Sequence, residues 1–147
     1  MAHLRKQIRD QLAVELTGLP LTGSNVFTNR HRPVAASKVP FILVYTADEA
    51  SEPSGGMGQQ YNLMRTVAVV VEIIASAASA LDDTLDGIAE SVEAAIGYSR
   101  LGGLVKQVAL SGTEYEYDAE ASKDHGTLRL TYQALYFTRA NDASAAQ

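Results

Sequence analysis

The sequence predicts an α+β domain in which two helices pack against a mostly antiparallel, or mixed, sheet of four to five strands. Three observations carry this. Apolar residues recur at helical spacing in two separate segments, opening at Leu4 and at Leu81. They alternate with other residues, the period of a half-covered strand, at Val67, Val69, Val71 and Ile73 and again at Leu128, Leu130, Tyr132, Ala134 and Tyr136. Polar or Gly-containing stretches separate these segments, so the strands read as hairpins.

The elements follow in order. Leu4, Ile8, Leu12 and Leu16 form one stripe, with Arg5, Lys6, Arg9, Asp10 and Glu15 on other faces, which is the pattern of a half-buried helix. Gly18 suits the position after its last turn, and Pro20 forbids continuation. Leu21 to Asn25 reads as a loop, Val26 to Thr28 as a short strand, and Asn29 to Lys38, with the basic cluster Arg30-His31-Arg32, as a connection. Pro40 to Thr46 is apolar on both faces, as in a central strand that keeps its proline at the first position. Ala47 to Gln60 is polar, carries Pro53 and the run Ser54-Gly55-Gly56-Met57-Gly58, and reads as a long loop that is mobile or ordered by a partner. Tyr61 to Ala75 is the next strand, expected to bend because it exceeds the usual strand length.

The second helix is expected to start near Ser79, whose hydroxyl would cap it, with Asp82 three residues on. Asp82, Asp83 and Asp86 favour its positive end. Leu81, Leu85, Ile88, Val92 and Ile96 form its apolar stripe, Ala89 and Ala95 allow close approach to a sheet, and Gly97 ends it before a turn at Gly102-Gly103. Val105 to Leu110 and Thr113 to Asp118 read as one strand with an irregularity at Gly112. Its second half puts Tyr115 and Tyr117 on one face and Glu114, Glu116 and Asp118 on the other. Ala119 to Gly126 turns the chain into a last strand, Thr127 to Thr138. Residues 1–138 are thus expected to form a single domain, and 139–147 a polar C-terminal tail that is mobile.

Composition narrows the function. The chain has 147 residues, 46% apolar and 20% charged, values of an ordinary globular domain that exclude general disorder and a membrane protein. It has no cysteine, which removes disulfides, thiolate catalysis and thiolate metal sites. No export signal is read in the first residues, because Asp10 and Glu15 break the apolar stretch such a signal needs. The net charge of −5 hides an asymmetry: Met1 to Val39 carries +4 and Pro40 to Gln147 carries −9. An acidic main body disfavours a nucleic-acid groove and suits a surface that DNA passes without sticking.

No constellation supports chemistry. The only Gly-rich loop lacks the Lys-Ser/Thr of a phosphate loop and leads into a strand rather than a helix, so flexibility accounts for it. His3, His31 and His125 are isolated and lack a second ligand at helical spacing; Asp124-His125 falls in an expected turn, where a solvated His is the simpler reading. Tyr115, Tyr117, Tyr132 and Tyr136 are better explained by packing in the core, as cross-strand pairs on a common face, than by ligand binding. Glu114, Glu116 and Asp118 are a solvated strand face or a functional acidic surface, and Arg30-His31-Arg32 a solvated loop or a protein interface. No catalytic, cofactor-binding or metal residue emerges. The expectation is a non-enzymatic protein without cofactors whose function lies in its surfaces, with Arg30, Arg32, Glu114, Glu116 and Asp118 as interface candidates.

Four passages, taken in order, resemble the tail terminator family of long-tailed bacteriophages, the lambda type or minor tail protein U-like group. They are the opening helix Leu4 to Leu16; Arg32-Pro33-Val34 followed by Val39-Pro40-Phe41-Ile42-Leu43-Val44-Tyr45; the strand leading into Leu81-Asp82-Asp83-Thr84-Leu85-Asp86; and Leu110 to Asp118 before Leu128-Arg129-Leu130-Thr131-Tyr132. The resemblance implies a virion subunit, assembled in the host cytoplasm. It would form a homo-oligomeric ring, usually a hexamer, that caps the head-proximal end of the tail tube and stops tube polymerisation. Its partners would be the tail tube protein and a head-completion or connector protein at head-tail joining, with DNA passing through the lumen without specific binding and no membrane involved. A head-to-tail ring needs two complementary patches; the basic amino-terminal portion and the acidic body would supply them, with Arg30 and Arg32 against an acidic neighbour and the Glu114, Glu116 and Asp118 face toward a lumen. Two alternatives stand beside this: another neck or tail component, such as a tube or head-tail joining protein, and, from a different class, a small ligand-binding or enzymatic domain.

Overall fold

Helix α1 (Leu4–Leu16) forms where the four-residue apolar period predicts it, and Leu4, Ile8, Leu12 and Leu16 are all buried. Each such side chain removed from water contributes roughly 1.5–3 kcal/mol. His3 caps the helix: its Nδ1 accepts the Arg5 N–H at 3.1 Å. Burial, reinforced by the nearby Arg5 charge, holds His3 below its ordinary pKa and keeps that nitrogen an acceptor. Gly18 (φ 94°) turns the chain out of the helix in a conformation that suits glycine.

The computed structural model describes residues 2–28, 40–57, 60–76, 80–118 and 125–147, with the backbone alone at Gly56, Met57 and Asp118. Among these, five strands form one sheet: β1 (Val26–Phe27), β2 (Phe41–Met57), β3 (Gln60–Ser76), β4 (Gln107–Asp118) and β5 (His125–Arg139), in the order β1-β2-β3-β5-β4. Only β1 and β2 run parallel. The fold is therefore α+β with a mostly antiparallel sheet, as the alternation and turns predict. Helix α2 (Leu81–Ile96) connects the β2–β3 hairpin to the β4–β5 hairpin, and a 3-10 turn (Leu101–Gly103) leads into β4.

Both helices cover one face of the sheet. Ile42 and Val44 of β2, Val67 to Ile73 of β3 in alternation, and Leu128 to Tyr136 of β5 in alternation pack there with α1 and with Leu85, Ile88, Val92 and Ile96 of α2. The β3–β5 ladder holds one unbroken register from Asn62 opposite Arg139 to Ser76 opposite His125. Gly126 makes room for α2, since a Cβ there would lie 3.0 Å from both the Leu81 and Leu85 side chains. On the opposite face Phe41, Leu43 and Ile74 form a smaller buried cluster with Phe27 and Tyr45, which explains why Pro40 to Thr46 is apolar on both sides.

Several expectations are corrected. The long loop expected at Ala47 to Gln60 is mostly strand: β2 continues to Met57 and pairs with β3 back to Gln60. The stretch is polar because most of its described side chains face water, and Pro53 is tolerated because β1 pairs only with Ile42 and Leu43, leaving the rest of β2 an edge. The β2–β3 ladder is irregular on the β2 side, with register shifts between Thr46 and Glu49 and between Ser54 and Gly56. The cap expected at Ser79 lies outside the described residues; Ala80 (φ 57°) precedes α2 with no side-chain cap bond. His125 and Gly126, expected in the turn, open β5. The irregularity near Gly112 is present as a register shift between Leu110 and Gly112.

The expected mobile tail is held. Ala143 O accepts the Leu4 N–H at 2.8 Å, Ser144 O accepts from Gln7 at 2.9 Å, and the Gln147 N–H donates to Phe137 O at 2.9 Å. The C-terminal residues thus tie the start of α1 to the end of β5.

Candidate assembly surfaces

Tyr132 and Tyr136 are core residues, as expected, but Tyr115 and Tyr117 are half-exposed at the rim. They stack on each other with ring centroids 6.3 Å apart, and their hydroxyls donate to Asp86 and Asp82 of α2. The aspartates expected only as helix-start charges therefore also tether β4 to α2. The hydrogen bond to Asp82 is the largest of the effects that push the Tyr117 phenol up to about 12.

On the face opposite the helices, the acidic row of β4 meets its counter-ion. Arg129 stands opposite Glu114 in register, and its guanidinium reaches Glu116 at 2.5 Å and Glu72 at 3.3 Å. The Tyr45 hydroxyl donates to Glu72 at 2.8 Å. A polar chain thus crosses β2, β3, β5 and β4 on one face, with Glu72 itself buried. Burial comes first and this hydrogen bond second in raising Tyr45. Of Asp118 the backbone is seen opposite His125. Arg30 and Arg32 lie outside the described residues, so the structure brings together Glu114 and Glu116 but says nothing of the basic pair.

A second polar centre escaped the sequence reading. Glu49 accepts from Arg5 at 2.7 Å, from Arg65 at 3.2 Å and from the Tyr136 hydroxyl, while Arg65 Nε donates to Thr138 at 3.0 Å. Glu49 and Arg65 side chains are 8% and 11% exposed, so this is an interior network joining α1, β2, β3 and β5. The β2 register shift turns Glu49 inward at a parity that alternation does not reveal.

A groove of about 590 Å³ lies beside the start of β4, lined by Tyr98, Arg100, Lys106 and Gln107 among others. Tyr98 is fully exposed. Among the described residues neither Arg100 nor Lys106 forms an ion pair, and no group of three His, Asp or Glu is placed to hold a metal ion. Among the described residues no helix is long and apolar enough to cross a membrane.

These features are surfaces and structural networks, and comparison with known proteins supplies the family. The sequence profile of the phage minor tail protein U family matches residues 2–136. No match emerges among curated proteins. Among solved structures, a chain from the virion of a native gene transfer agent particle is similar at 16% identity and TM-score 0.47, with 90% of each chain covered. The profile spans both helices and all but the last residues of the sheet, so the chain belongs to the phage minor tail protein U family and is a structural component of the phage tail or neck.

Proposed function

We propose that the protein is a tail terminator: a ring of six subunits that caps the head-proximal end of the tail tube, stops its polymerisation and presents a surface for head-tail joining. The single observation that carries this is the family match over residues 2–136. The physical features support it. A ring needs two unlike patches per subunit, and this chain divides into a basic Met1–Val39 portion and an acidic remainder. Arg30 and Arg32 would meet an acidic neighbour, and Glu114, Glu116 and Asp118 would contribute to the acidic surface. An acidic lumen would let DNA pass, because it offers no Lys/Arg array for phosphates. Residues 1–138 would be the ring-forming unit, with 139–147 as its polar C-terminal segment. The partners would be the tube protein and a head-completion protein, and no catalysis is involved.

Electron microscopy of the purified protein, alone and with tail tubes, tests this. Discrete rings that sit on one tube end and halt elongation are expected. Filaments would mean a tube protein, and a monomer at tens of micromolar that leaves tubes uncapped would overturn the assembly reading.

A further inference from the structure

We propose that the outer edge of β4 is a self-pairing surface, at which two copies of the chain join as antiparallel strands about a two-fold axis near Gly112. β4 ends the sheet, and no described strand pairs its outer side. Gln107, Ala109 and every residue from Leu110 to Tyr117 are exposed. Such an edge presents unpaired N–H and C=O groups and is a template for another strand.

The two open edges of this sheet are not equivalent. Beyond Leu43 the β2 edge carries Pro53 and two register shifts, features that obstruct pairing. From Gln107 to Asp118 the β4 edge has a single shift and neither proline nor lysine. Among the described residues, one edge is guarded and the other is open.

Charge selects the occupant. Arg100 and Lys106 stand exposed at the start of β4, beside the groove under Tyr98, without ion-pair partners among the described residues. The Lys106 N–H donates to Leu135 O at 2.7 Å, which fixes this residue at the head of the strand. Glu114, Glu116 and Asp118 lie at the other end. Antiparallel pairing of two copies sets each basic end beside the other's acidic end, whereas parallel pairing would oppose acid to acid. The patch is self-complementary, as a two-fold contact requires. The contact closes at two copies and so differs from the head-to-tail contact of the proposed ring.

The chain has no cysteine, so Thr113→Cys places a single thiol beside the proposed axis. A short bifunctional thiol reagent at low salt is expected to give a covalent dimer, and Val14→Cys, exposed on α1, is the control. Adding Arg100→Glu and Lys106→Glu to Thr113→Cys should lower the yield about tenfold, as should about 1 M salt, where charges are screened beyond roughly 3 Å. Matching thermal midpoints establish that each variant is folded. Equal yields from the two thiols, or a yield indifferent to the charge reversals, would overturn the proposal. The ring is read separately: rings that cap tubes without this cross-link sink only the dimer, and the cross-link without rings sinks only the terminator reading.

Discussion

Arg129 on β5 and Glu72 on β3 face each other across one ladder, joined at 3.3 Å, and Glu72 is the buried partner. Removing the guanidinium takes a charge-assisted hydrogen bond away from that buried carboxylate. Arg129→Met is expected to destabilise the fold by about 1–3 kcal/mol, the contribution of a hydrogen bond to a charged group. Arg129→Lys should recover only part of this, because a point charge cannot fork between Glu72 and Glu116. Urea unfolding measures both, and an unchanged midpoint for Arg129→Met would contradict the assignment.

Glu49 is the harsher case. Its loss strands Arg65, which is 11% exposed, together with the Tyr136 hydroxyl. Glu49→Ala is expected to cost about 3–5 kcal/mol, as when one member of a buried pair is removed. Glu49→Met combined with Arg65→Met should be clearly milder than either alone. A strictly additive double-mutant cycle would show that the network is not coupled.

Tyr132 carries a buried hydroxyl that has no hydrogen-bond partner among the described residues. Burial, helped by the charge of Glu93, pushes its phenol up to about 12. Tyr136 shifts the same way, through burial and then its bond to Glu49. An unfolded tyrosine ionises near about 10. Below that value both states keep the proton and stability is full; as pH rises from about 10 through 12 the unfolded chain ionises first and stability falls. Tyr132→Phe should therefore gain up to about 1 kcal/mol at pH 7 and shallow the alkaline decline. Thermal scans at neutral and alkaline pH decide it; a loss of stability at pH 7 would refute the claim.

Ala80 precedes α2 in the left-handed region at φ 57°. Ala80→Gly removes that strain and places an accepted residue at the helix start, so a gain of about 0.5–1 kcal/mol is expected. An unaltered or lowered thermal midpoint would show that the conformation relaxes without cost.

What the sequence displayed was whatever burial enforces. Leu4 to Leu16 and the Val67 to Ile73 and Leu128 to Tyr136 alternations are visible because one side of each element meets the core. Ala47 to Met57 is strand as well, but two register shifts interrupt its pairing and most of its described side chains face water, so no alternation marks it as strand. Glu49 was hidden for a related reason: the shift after Thr46 moves an acidic residue of a polar stretch to the core side. Tyr115 and Tyr117 share a face with the apolar residues and so read as core, but β4 is the edge of the sheet and α2 packs on β3 and β5, so the two rings reach only the helix's outer aspartates. The docked C-terminus leaves no pattern, since its contacts at Ala143, Ser144 and Gln147 use backbone groups that every residue carries.

The unbroken β3–β5 register has a consequence for fidelity of folding. Val71 and Leu130 stand opposite each other on the covered face, and Glu72 and Arg129 stand one step away on the other. A slip of either strand by one residue would exchange these sets, driving a carboxylate or a guanidinium under the helices and setting valine and leucine in water. The ion pair on the face opposite the helices thus acts as a proofreading code for strand alignment: a one-residue slip of either strand would break the Glu72–Arg129 pair and carry one of its charges under the helices without its partner.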